Sequence, residues 1–412
     1  MKASNLRIIV TGLIGQHYSL AGVTWDYIQY VIGLKKLGHE VYYLEDTGEW
    51  PYNLEGGRTG NDWVAPDCSR NIAHLDHVFK KFDLGVIWGY RYPVKNQWFG
   101  LPSYKRKDLM KNADLLINVS GTLEKPEKYE IKNKLYIDSD PGFTQIKIDL
   151  GYKEFSKRVA AHNMHFSFGE KINTIFQNTG YNWKPTRSPI VLDLWTNFQK
   201  EGKKYTTIMN WTSYKPLHYD NSIYGQKDME FIKFLDLPGL CPDIYFEIAL
   251  SETQHKNWQS LINDSDINNT NRKNLRAFDK PKKLLHHYGW HVVSPQQRCR
   301  NIEDYRTYIQ NSRAEWSVAK GGYVLSQAGW FSCRSSCYLA SARPVVVQNT
   351  GLSDLFPIGE GLLSFENPSE SVQAIEAIES NYGYHSQKAR ELADAFFCSD
   401  KILTNLIQQA FE

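Results

Sequence analysis

Short, uninterrupted apolar runs recur along this chain, and they constrain its fold more strongly than any other feature. Residues 6–10 form one such run, Thr11-Gly12 ends it, and residues 23–37 then carry apolar side chains at helical spacing before Gly38. Residues 41–44 form the next apolar run. A strand that is apolar along its whole length is typical of a parallel sheet, in which both faces are covered. Strand, helix and strand in this order predict a right-handed βαβ unit.

The same alternation begins again at Thr206, after a polar stretch at 199–204 that we interpret as a linker. A chain of 412 residues is too long for one ordinary core. We therefore predict two α/β domains, 1–198 and 205–390, followed by a terminal helix at 391–412. The strands predicted for the second half lie at 206–210, 246–250, 291–293, 315–318, 344–347 and 362–365, and its helices at 227–235, 301–312 and 369–380.

Composition is that of an ordinary globular protein with balanced charge. Apolar residues make up 42% of the chain, and the formal net charge is +3. Nucleic-acid-binding proteins usually carry a clustered basic face, so we expect no nucleic-acid partner. The six cysteines are scattered without a CxxC pair, which predicts reduced thiols in the cytoplasm and no zinc site. We expect no transmembrane helix, because no apolar span reaches about 18 residues. The aromatic and basic segment 90–107 leaves peripheral membrane contact open.

The segment 315–351 holds the strongest functional signal. It combines a glycine-punctuated loop, a helix that begins near Phe331 or Ser332, and an apolar strand. The first turn of a helix has free backbone N–H groups and the positive end of the helix dipole, which together suit a phosphate or diphosphate. Ser332 and Ser335 add hydroxyl donors, and Arg334 can give a forked, charge-assisted contact. An ordinary capped helix that feeds a buried strand explains the same residues equally well.

Polar residues that follow predicted strands of the first half are candidates for catalysis. His17 lies in the loop 12–22 after the first strand, and Asp138 and Asp140 end another strand. Open α/β sheets bind ligands at the carboxyl ends of their strands. The ordinary pKa of histidine lies near operating pH, so His17 is our candidate general base, and the aspartates are groups that orient or replace it. The alternatives are a simple loop histidine and aspartates that only build a Pro-Gly turn.

The two α/β halves, the linker and the helical tail resemble a GT-B glycosyltransferase, and the similarity is most specific at Gly329-Trp330-Phe331-Ser332-Cys333-Arg334-Ser335 followed by Tyr338-Leu339-Ala340. The resemblance implies two Rossmann-like α/β/α domains that face each other across a cleft, with the terminal helix packed back on the N-terminal domain. It implies transfer of a hexose from an NDP-sugar, UDP- or GDP-linked, to an acceptor hydroxyl, with no metal and no further cofactor. The implied acceptors are a glycan, a lipid, a natural product or a peptide.

The same resemblance assigns roles to individual residues. The diphosphate is expected at the start of the helix, a basic residue reaches it, and the base of the nucleotide lies at the end of a strand. The implied substrate-binding residues are Gly15; Lys227, with Lys215 as its competitor; Val293 and Ser294 at the base; Trp330, Phe331, Ser332, Cys333 and Arg334 at the diphosphate; and Asn349, Thr350 and Gly351 near the sugar.

The chain departs from many retaining members of this family at one place. Those members carry two glutamates around this helix, and this chain has Gly329 and Cys337 at the corresponding positions. The donor sugar and the stereochemical course therefore stay open. A nucleotide-sugar epimerase or a phosphorylase of similar fold and a non-catalytic sugar-nucleotide-binding protein are the alternatives. A dehydrogenase is least favoured, because Gly12-x-x-Gly15 is not the dinucleotide fingerprint.

Overall fold

The structure is a computed structural model that describes residues 5–51, 67–177, 179–196, 202–251, 278 and 280–412. The chain forms two compact units. The first unit comprises Met1–Leu194, Arg300–Tyr305 and Ala395–Glu412, and the second comprises Trp195–Cys299 and Arg306–Asp394. Each unit contains a mainly parallel sheet whose strands alternate with helices, so the predicted α/β class is confirmed.

An eight-stranded sheet forms the centre of the first unit. Its strands are β1 (Arg7–Thr11), β2 (Glu40–Glu45), β3 (Trp88–Tyr92), β4 (Gln97–Gly100), β5 (Leu115–Val119), β6 (Asn133–Asp138), β7 (Met164–Ser167) and β8 (Trp183–Pro185). They lie in the order β4-β3-β2-β1-β5-β6-β7-β8, and only β3 and β4 pair antiparallel. The helices of this unit are Ala21–Lys36, Ser69–Lys81, Ser103–Asn112, Phe143–Asp149, Lys153–Ala160, Ile172–Ile175 and Ser399–Phe411.

A six-stranded, fully parallel sheet forms the centre of the second unit. Its strands are β9 (Lys204–Asn210), β12 (Tyr245–Ser251), β13 (His291–Val293), β14 (Ala314–Ser317), β15 (Val345–Gln348) and β16 (Leu362–Phe365), in the order β13-β12-β9-β14-β15-β16. A separate hairpin joins β10 (Leu217–Tyr219) to β11 (Ser222–Tyr224). The helices are Lys227–Phe231, Leu237–Leu240, Pro281–His287, Pro295–Arg298, Gly321–Ser326, Cys333–Ala340, Pro368–Ser380 and Tyr382–Phe396; Ile302–Gln310 begins in the first unit and ends in the second.

Apolar burial explains why these segments become strands. Ile8, Ile9 and Val10 are completely buried in β1, which lies between β2 and β5. In the second unit the aromatic rings of Trp316 and Phe365 stack with their centroids 5.4 Å apart. Full burial of one such side chain contributes roughly 1.5–3 kcal/mol. This core holds β14 firmly, so the residues that follow its carboxyl end have a fixed starting point.

The first unit differs from the sequence prediction at its sheet edge. The predicted strand at 84–88 is displaced to β3, and the predicted aromatic loop at 90–104 is the rest of β3, a turn, β4 and the start of Ser103–Asn112. Tyr90 and Tyr92 are buried, which suits aromatic residues in a strand. Asn96 adopts a positive φ of 49° in the turn and allows the tight reversal into β4. The sequence pattern predicts a solvated loop with a few packed rings, whereas the segment forms an edge hairpin and the start of a helix.

The second unit also differs from the prediction in two loops. The predicted loop 211–225 contains the β10–β11 hairpin, whose turn residues Asp220 and Asn221 both have positive φ, as type I′ turns require. The predicted glycine-rich loop includes the helix Gly321–Ser326. The predicted polar excursion 259–274 and residues 199–201 of the predicted linker lie outside the described residues. In the described part of the chain no helix is both long enough and apolar enough to cross a membrane.

Three histidines of the first unit are held in the neutral form by burial. Burial lowers the pKa of His17, His74 and His162 from 6.5 to about 4. His162 Nδ1 donates to the Arg158 carbonyl at 2.8 Å, and its Nε2 accepts from the Asn118 amide at 3.0 Å. The unfolded chain therefore binds protons at a higher pH than the folded chain does. The free energy of unfolding must fall as the pH drops from 6.5 towards 4.

We predict that His162→Gln makes the protein less sensitive to acid. The free energy of unfolding that is lost between pH 6.5 and pH 4 should be smaller in the variant by up to about 3 kcal/mol, because one pKa unit corresponds to about 1.4 kcal/mol. Urea unfolding at a series of pH values measures this, and His77→Gln is the control because His77 is exposed in the same unit. An acid dependence in His162→Gln that equals that of the wild type contradicts the prediction.

Candidate functional site

A small open pocket, whose empty space of about 260 Å³ includes adjoining solvent, lies in the second unit between the carboxyl end of β14 and the start of the helix Cys333–Ala340. Ser332 is the N-cap residue, so the helix begins where the sequence predicted. The first N–H groups of any helix have no partner within that helix, and they carry the positive end of its dipole. The residues that line the pocket are Ser317, Val318, Ala319, Trp330, Phe331, Ser332, Arg334, Ser335, Val347, Gln348, Thr350 and Leu352.

Ser335 lines this pocket, and its hydroxyl has no hydrogen-bond partner among the described residues. Its side chain is completely buried. Leaving a buried hydroxyl without a partner costs about 1–3 kcal/mol. Its neighbour Ser336 is equally buried, but its hydroxyl donates to the Ser332 carbonyl at 3.3 Å. Because Ser335 lines the pocket, a ligand there can provide the contact that the protein does not.

Arg334 is fixed by three internal hydrogen bonds. Its Nε donates to Glu315 at 2.6 Å, one terminal nitrogen donates to the Ile208 carbonyl at 2.8 Å, and the other donates to the Ser317 hydroxyl at 2.7 Å. The sequence predicted that the guanidinium would donate two hydrogen bonds to an anion. In the structure, each of its three nitrogens donates a hydrogen bond to a residue of β9 or β14. The guanidinium is thus a rigid positive charge at the edge of the pocket. Glu315, its partner, is completely buried.

Two lysines add to this positive charge. Lys227 begins the helix Lys227–Phe231, and burial lowers its pKa well below 10.5, assisted by the charges of Arg334 and Lys320 and opposed by Glu315. Lys320 lies 4.6 Å above the ring of Tyr214 and donates to its hydroxyl at 3.0 Å. Arg334 and Lys320 therefore disfavour the charged form of Lys227, and the buried carboxylate of Glu315 favours it. An anion bound among these cations would relieve their repulsion and raise the pKa of Lys227.

The backbone approaches closely around these lysines. Gly322 N–H donates to the Gly225 carbonyl at 3.1 Å. A Cβ on Gly321 would lie 3.2 Å from the Glu230 carboxylate and 3.4 Å from Gly225. Glu230 in turn accepts from the Gln348 amide at 2.6 Å, and Gln348 accepts from Ala319 N–H at 3.2 Å. These contacts tie the segment that carries Lys227 to the wall of the pocket.

The residues expected near the sugar build a turn. Asn349 donates to Glu366 at 2.8 Å and accepts from Gly351 N–H at 3.0 Å, and Gly351 has a φ of +91°. Thr350 donates to the Trp330 carbonyl at 2.6 Å and lines the pocket. The side chains of Asn349 and Thr350 thus shape the pocket, and their contact with a sugar stays a prediction.

The remaining substrate-binding candidates are distributed less closely. Trp330 stacks on Tyr323 with centroids 4.2 Å apart, Phe331 packs on Phe356, and Cys333 is the first residue of the helix. Val293 and Ser294 lie at the end of β13, the far edge strand of the sheet, where the Ser294 hydroxyl donates to Gln296 at 2.7 Å. Lys215 is exposed. The pocket therefore unites Trp330, Phe331, Ser332, Arg334 and Thr350 of the predicted residues. Its lining does not include Lys227, Cys333, Asn349, Gly351, Val293, Ser294 or Lys215.

In the first unit, the predicted catalytic aspartate Asp138 is engaged within the protein. Its carboxylate accepts from Thr144 at 2.7 Å, Ser167 at 2.8 Å, Gln145 at 3.0 Å and Asp140 N–H at 3.0 Å. These contacts are those of a carboxylate that organises the ends of β6 and β7. Catalytic roles for Asp138 and Asp140 stay predictions. Among the described residues no group of three or more His, Cys, Asp or Glu side chains could hold a metal ion.

The predicted loop residues Gly15 and His17 have different surroundings. The N–H of Gly15, which the sequence assigned to substrate, donates to the buried carboxylate of Glu45 at 2.8 Å. Burial lowers the pKa of His17 to about 4, so the ring is neutral at physiological pH, although the sequence suggested titration near neutrality. Sequence reasoning missed Glu45 and Glu315. The available signal was an acid within a predicted buried strand, which must find a partner in the fold.

Solved structures share this fold, although no protein-family model and no curated protein matches the chain. An α-glucosyltransferase in complex with UDP matches 99% of this chain and 100% of its own at a TM-score of 0.59 and 13% identity. Sucrose-phosphate synthase from Thermosynechococcus elongatus matches 98% and 99% at 0.53 and 12%. Anabaena HepE in complex with UDP and glucose matches 98% and 99% at 0.55 and 10%. The prediction of the GT-B glycosyltransferase fold is confirmed.

One expectation about partners is wrong. The α-glucosyltransferase has been solved in complex with UDP and a 13-mer DNA, so a protein of this fold binds nucleic acid. Our exclusion of nucleic acid rested on the near-balanced net charge of the whole chain. Nucleic-acid binding depends on the local arrangement of cationic side chains around phosphates, and a whole-chain sum does not report that arrangement.

We predict that Ser335→Ala and Ser336→Ala have opposite effects on stability. Ser335→Ala removes an unpartnered buried hydroxyl and should raise the free energy of unfolding by about 1 kcal/mol, whereas Ser336→Ala removes a hydrogen bond and should lower it by a similar amount. Both changes put alanine in the same helix, so helix propensity cancels in the comparison. Urea unfolding without ligand measures both. A larger loss of stability for Ser335→Ala than for Ser336→Ala contradicts the account of the pocket.

Proposed function

We propose that this protein is a glycosyltransferase that moves a sugar from a nucleoside-diphosphate donor, foremost a UDP-sugar, to an acceptor hydroxyl. The observation that carries the proposal is the pocket at the start of Cys333–Ala340, where the unpartnered Ser335 hydroxyl lies beside Arg334 and near the cations Lys227 and Lys320. Helix N-termini with added cations suit a diphosphate. Proteins of this fold that bind UDP support the choice of nucleotide.

The chemical work of such a site is to stabilise the leaving group. As the glycosidic bond to the donor breaks, negative charge grows on the departing diphosphate. The helix amides, Ser335 and Lys227 would donate hydrogen bonds to it, and the fixed charge of Arg334 would lower its energy. Because these groups are already in place, little reorganisation is required when the charge develops. We propose on this basis that the diphosphate can leave without a metal ion.

His17 is the proposed base for the acceptor hydroxyl. The proton of the acceptor moves to the neutral ring while the acceptor oxygen forms its bond to the sugar. Burial keeps the ring neutral across the physiological range, so its unprotonated nitrogen can take the proton, and a pKa of about 4 makes the ring a weak base. Asp140 is a candidate to orient the ring or replace it. This step applies to an inverting reaction, and the stereochemistry of the product tests it directly.

The acceptor is open to more than one polymer or small molecule. A glycan, a lipid, a natural product and a peptide are candidates, and the DNA complexes of the α-glucosyltransferase add nucleic acid to them. An acceptor panel with a UDP-sugar decides between them. Free UDP that appears together with a new glycoside supports transfer, a changed nucleotide-sugar indicates an epimerase, and binding without turnover of any donor indicates a non-catalytic binding protein.

We predict that UDP stabilises the protein against heat and that Lys227→Ala weakens UDP binding about 10- to 100-fold, since a charge-assisted hydrogen bond contributes about 1.5–3 kcal/mol. UMP, which lacks the outer phosphate, should bind more weakly and respond less to the substitution. Calorimetry with both nucleotides measures these affinities. Lys215→Ala is the matched control, because Lys215 is exposed, whereas Lys227 is buried enough to feel the charges of Arg334 and Lys320. Equal UDP affinity in Lys227→Ala and wild type would rule out this site.

We predict that His17→Ala lowers the turnover of the sugar donor by about 10²–10⁴-fold, the range of general acid–base catalysis, and leaves UDP affinity unchanged. Steady-state kinetics and calorimetry on the same preparation separate the two quantities. A fall in UDP affinity as large as the fall in turnover would show that His17 supports the fold or donor binding, and it would remove His17 from the chemistry.

A further inference from the structure

A buried carboxylate that the proposed reaction does not use lies at the end of β2. Glu45 is 1% exposed, and its two oxygens accept three hydrogen bonds. Gly15 N–H donates to Oε2 at 2.8 Å, Gln16 N–H donates to Oε1 at 2.5 Å, and the Tyr43 hydroxyl donates to Oε2 at 2.7 Å. Two of these donors are consecutive amides of the loop after β1. The residue that follows them is His17.

The rest of this loop is held from the same side. The Tyr43 hydroxyl accepts from Ile14 N–H at 3.0 Å, and the Asn71 amide donates to the Gly15 carbonyl at 2.8 Å. The Gln16 side chain donates to the Trp50 carbonyl at 3.1 Å and accepts from Thr47. A Cβ on Gly15 would lie 2.7 Å from Leu75. Polar contacts and close packing therefore fix the loop backbone, and Glu45 supplies the only charged acceptor among the contacts named here.

We infer that Glu45 is a positioning residue. Its carboxylate accepts hydrogen bonds from the amides of Gly15 and Gln16, and these bonds fix the backbone of the loop that carries His17. The inference rests on the proposed function in so far as His17 acts on an acceptor. Glu45 is not a catalytic residue in this scheme, since its carboxylate is occupied by the loop and by Tyr43. Charge-assisted hydrogen bonds to a buried carboxylate are stronger than neutral ones, so loss of the charge must loosen the loop.

The surroundings of Glu45 make its hydrogen bonds to the loop sensitive to pH. Burial raises the pKa of Glu45 from 4.5 to about 7, although all three donors act to lower it. The titratable groups that face it are Tyr43 on its own strand and Tyr90 on β3, with Tyr27 acting on Tyr43. Burial raises the pKa of Tyr43 and Tyr90, so both stay neutral. Because the pKa of His17 is about 4, a titration near neutrality within this loop belongs to Glu45.

The sign of the effect follows from the two protonation states. Above about pH 7 Glu45 is ionised and can accept from both amides and from Tyr43. Below that pH one oxygen carries a proton, and the acid has less capacity to accept. The His17 ring stays neutral throughout this window. Turnover should therefore fall as the pH drops through about 7, with no matching change in UDP affinity from this loop.

Nuclear magnetic resonance of the full chain with labelled glycine, glutamine and histidine tests whether Glu45 holds the loop, and it requires no assumption about activity. In the wild type the amide resonances of Gly15 and Gln16 and the ring resonance of His17 should shift together with a midpoint near pH 7. Glu45→Gln should abolish the titration of both amides and displace the His17 ring resonance. Glu49→Gln is the matched control, since Glu49 is an exposed glutamate four positions further along the chain.

Kinetics supply the second readout. At a pH above 8 Glu45→Gln should reduce turnover about 10-fold or more without changing UDP affinity, and its pH profile should lose the limb near 7 that wild type and Glu49→Gln retain. Amides that do not titrate near pH 7 in the wild type would overturn the inference. So would a Glu45→Gln variant with an unchanged His17 resonance and an unchanged profile. UDP binding is measured separately and tests the proposed function. A protein that does not bind UDP can therefore be distinguished from one in which Glu45 does not fix the loop.

Discussion

The buried ion pair between Arg334 and Glu315 is the contact on which the second unit's pocket depends. Glu315 lies in β14 and is completely buried, and Arg334 is the second residue of the helix Cys333–Ala340. Removing one partner of such a pair typically costs about 3–5 kcal/mol, because the other charge is left alone in a low-dielectric interior. The pair therefore joins strand to helix and fixes the helix start. It also fixes a positive charge where Lys227 and Lys320 add two more, an arrangement that favours an anion.

The polar groups of the loop after β1 and those of the pocket in the second unit have different partners. In the first unit, the amides of the β1 loop are satisfied by the protein itself, through Glu45. In the second unit, the hydroxyl of Ser335 has no partner among the described residues, and the cations around it oppose one another. The first arrangement gives rigidity to a loop, and the second is the basis on which we propose a ligand site. A transferase requires both, a base held in place and a prepared site for the leaving group.

Much of this architecture could be predicted from the chain. Continuous apolar runs such as that of β1 predicted parallel strands, and the helix start at Ser332 followed from loop and helix patterns. The GT-B fold followed from their order. The edge hairpin at β3 and β4 was missed because aromatic residues suit a ligand-facing loop and a strand equally well. The turn at Asp220 and Asn221 carried a local signal in the sequence, consecutive Asp and Asn, which tolerate the positive φ of a type I′ turn and could have revealed the β10–β11 hairpin.

The partners of individual side chains could not be predicted in the same way. Arg334 was expected to fork onto a ligand, yet its donors bind Glu315, Ser317 and Ile208. Gly15 was expected to meet substrate, yet its amide binds Glu45. Both pairs join residues from different strands or from a strand and a helix, and no local periodicity reports such contacts. The pKa of His17 depends on its burial, which is set by the packing of the folded chain and cannot be read from neighbouring residues in the sequence.

The central claim is that the cations around Lys227 form a site for a diphosphate. Calorimetry of UDP binding between about pH 8 and 10, in buffers of different ionisation enthalpy, tests it most directly, because UDP is then fully ionised and Lys227 titrates below its ordinary value. The account predicts that binding takes up a proton and that this uptake disappears in Lys227→Ala. UDP binding with no proton uptake at any pH in the range would contradict it.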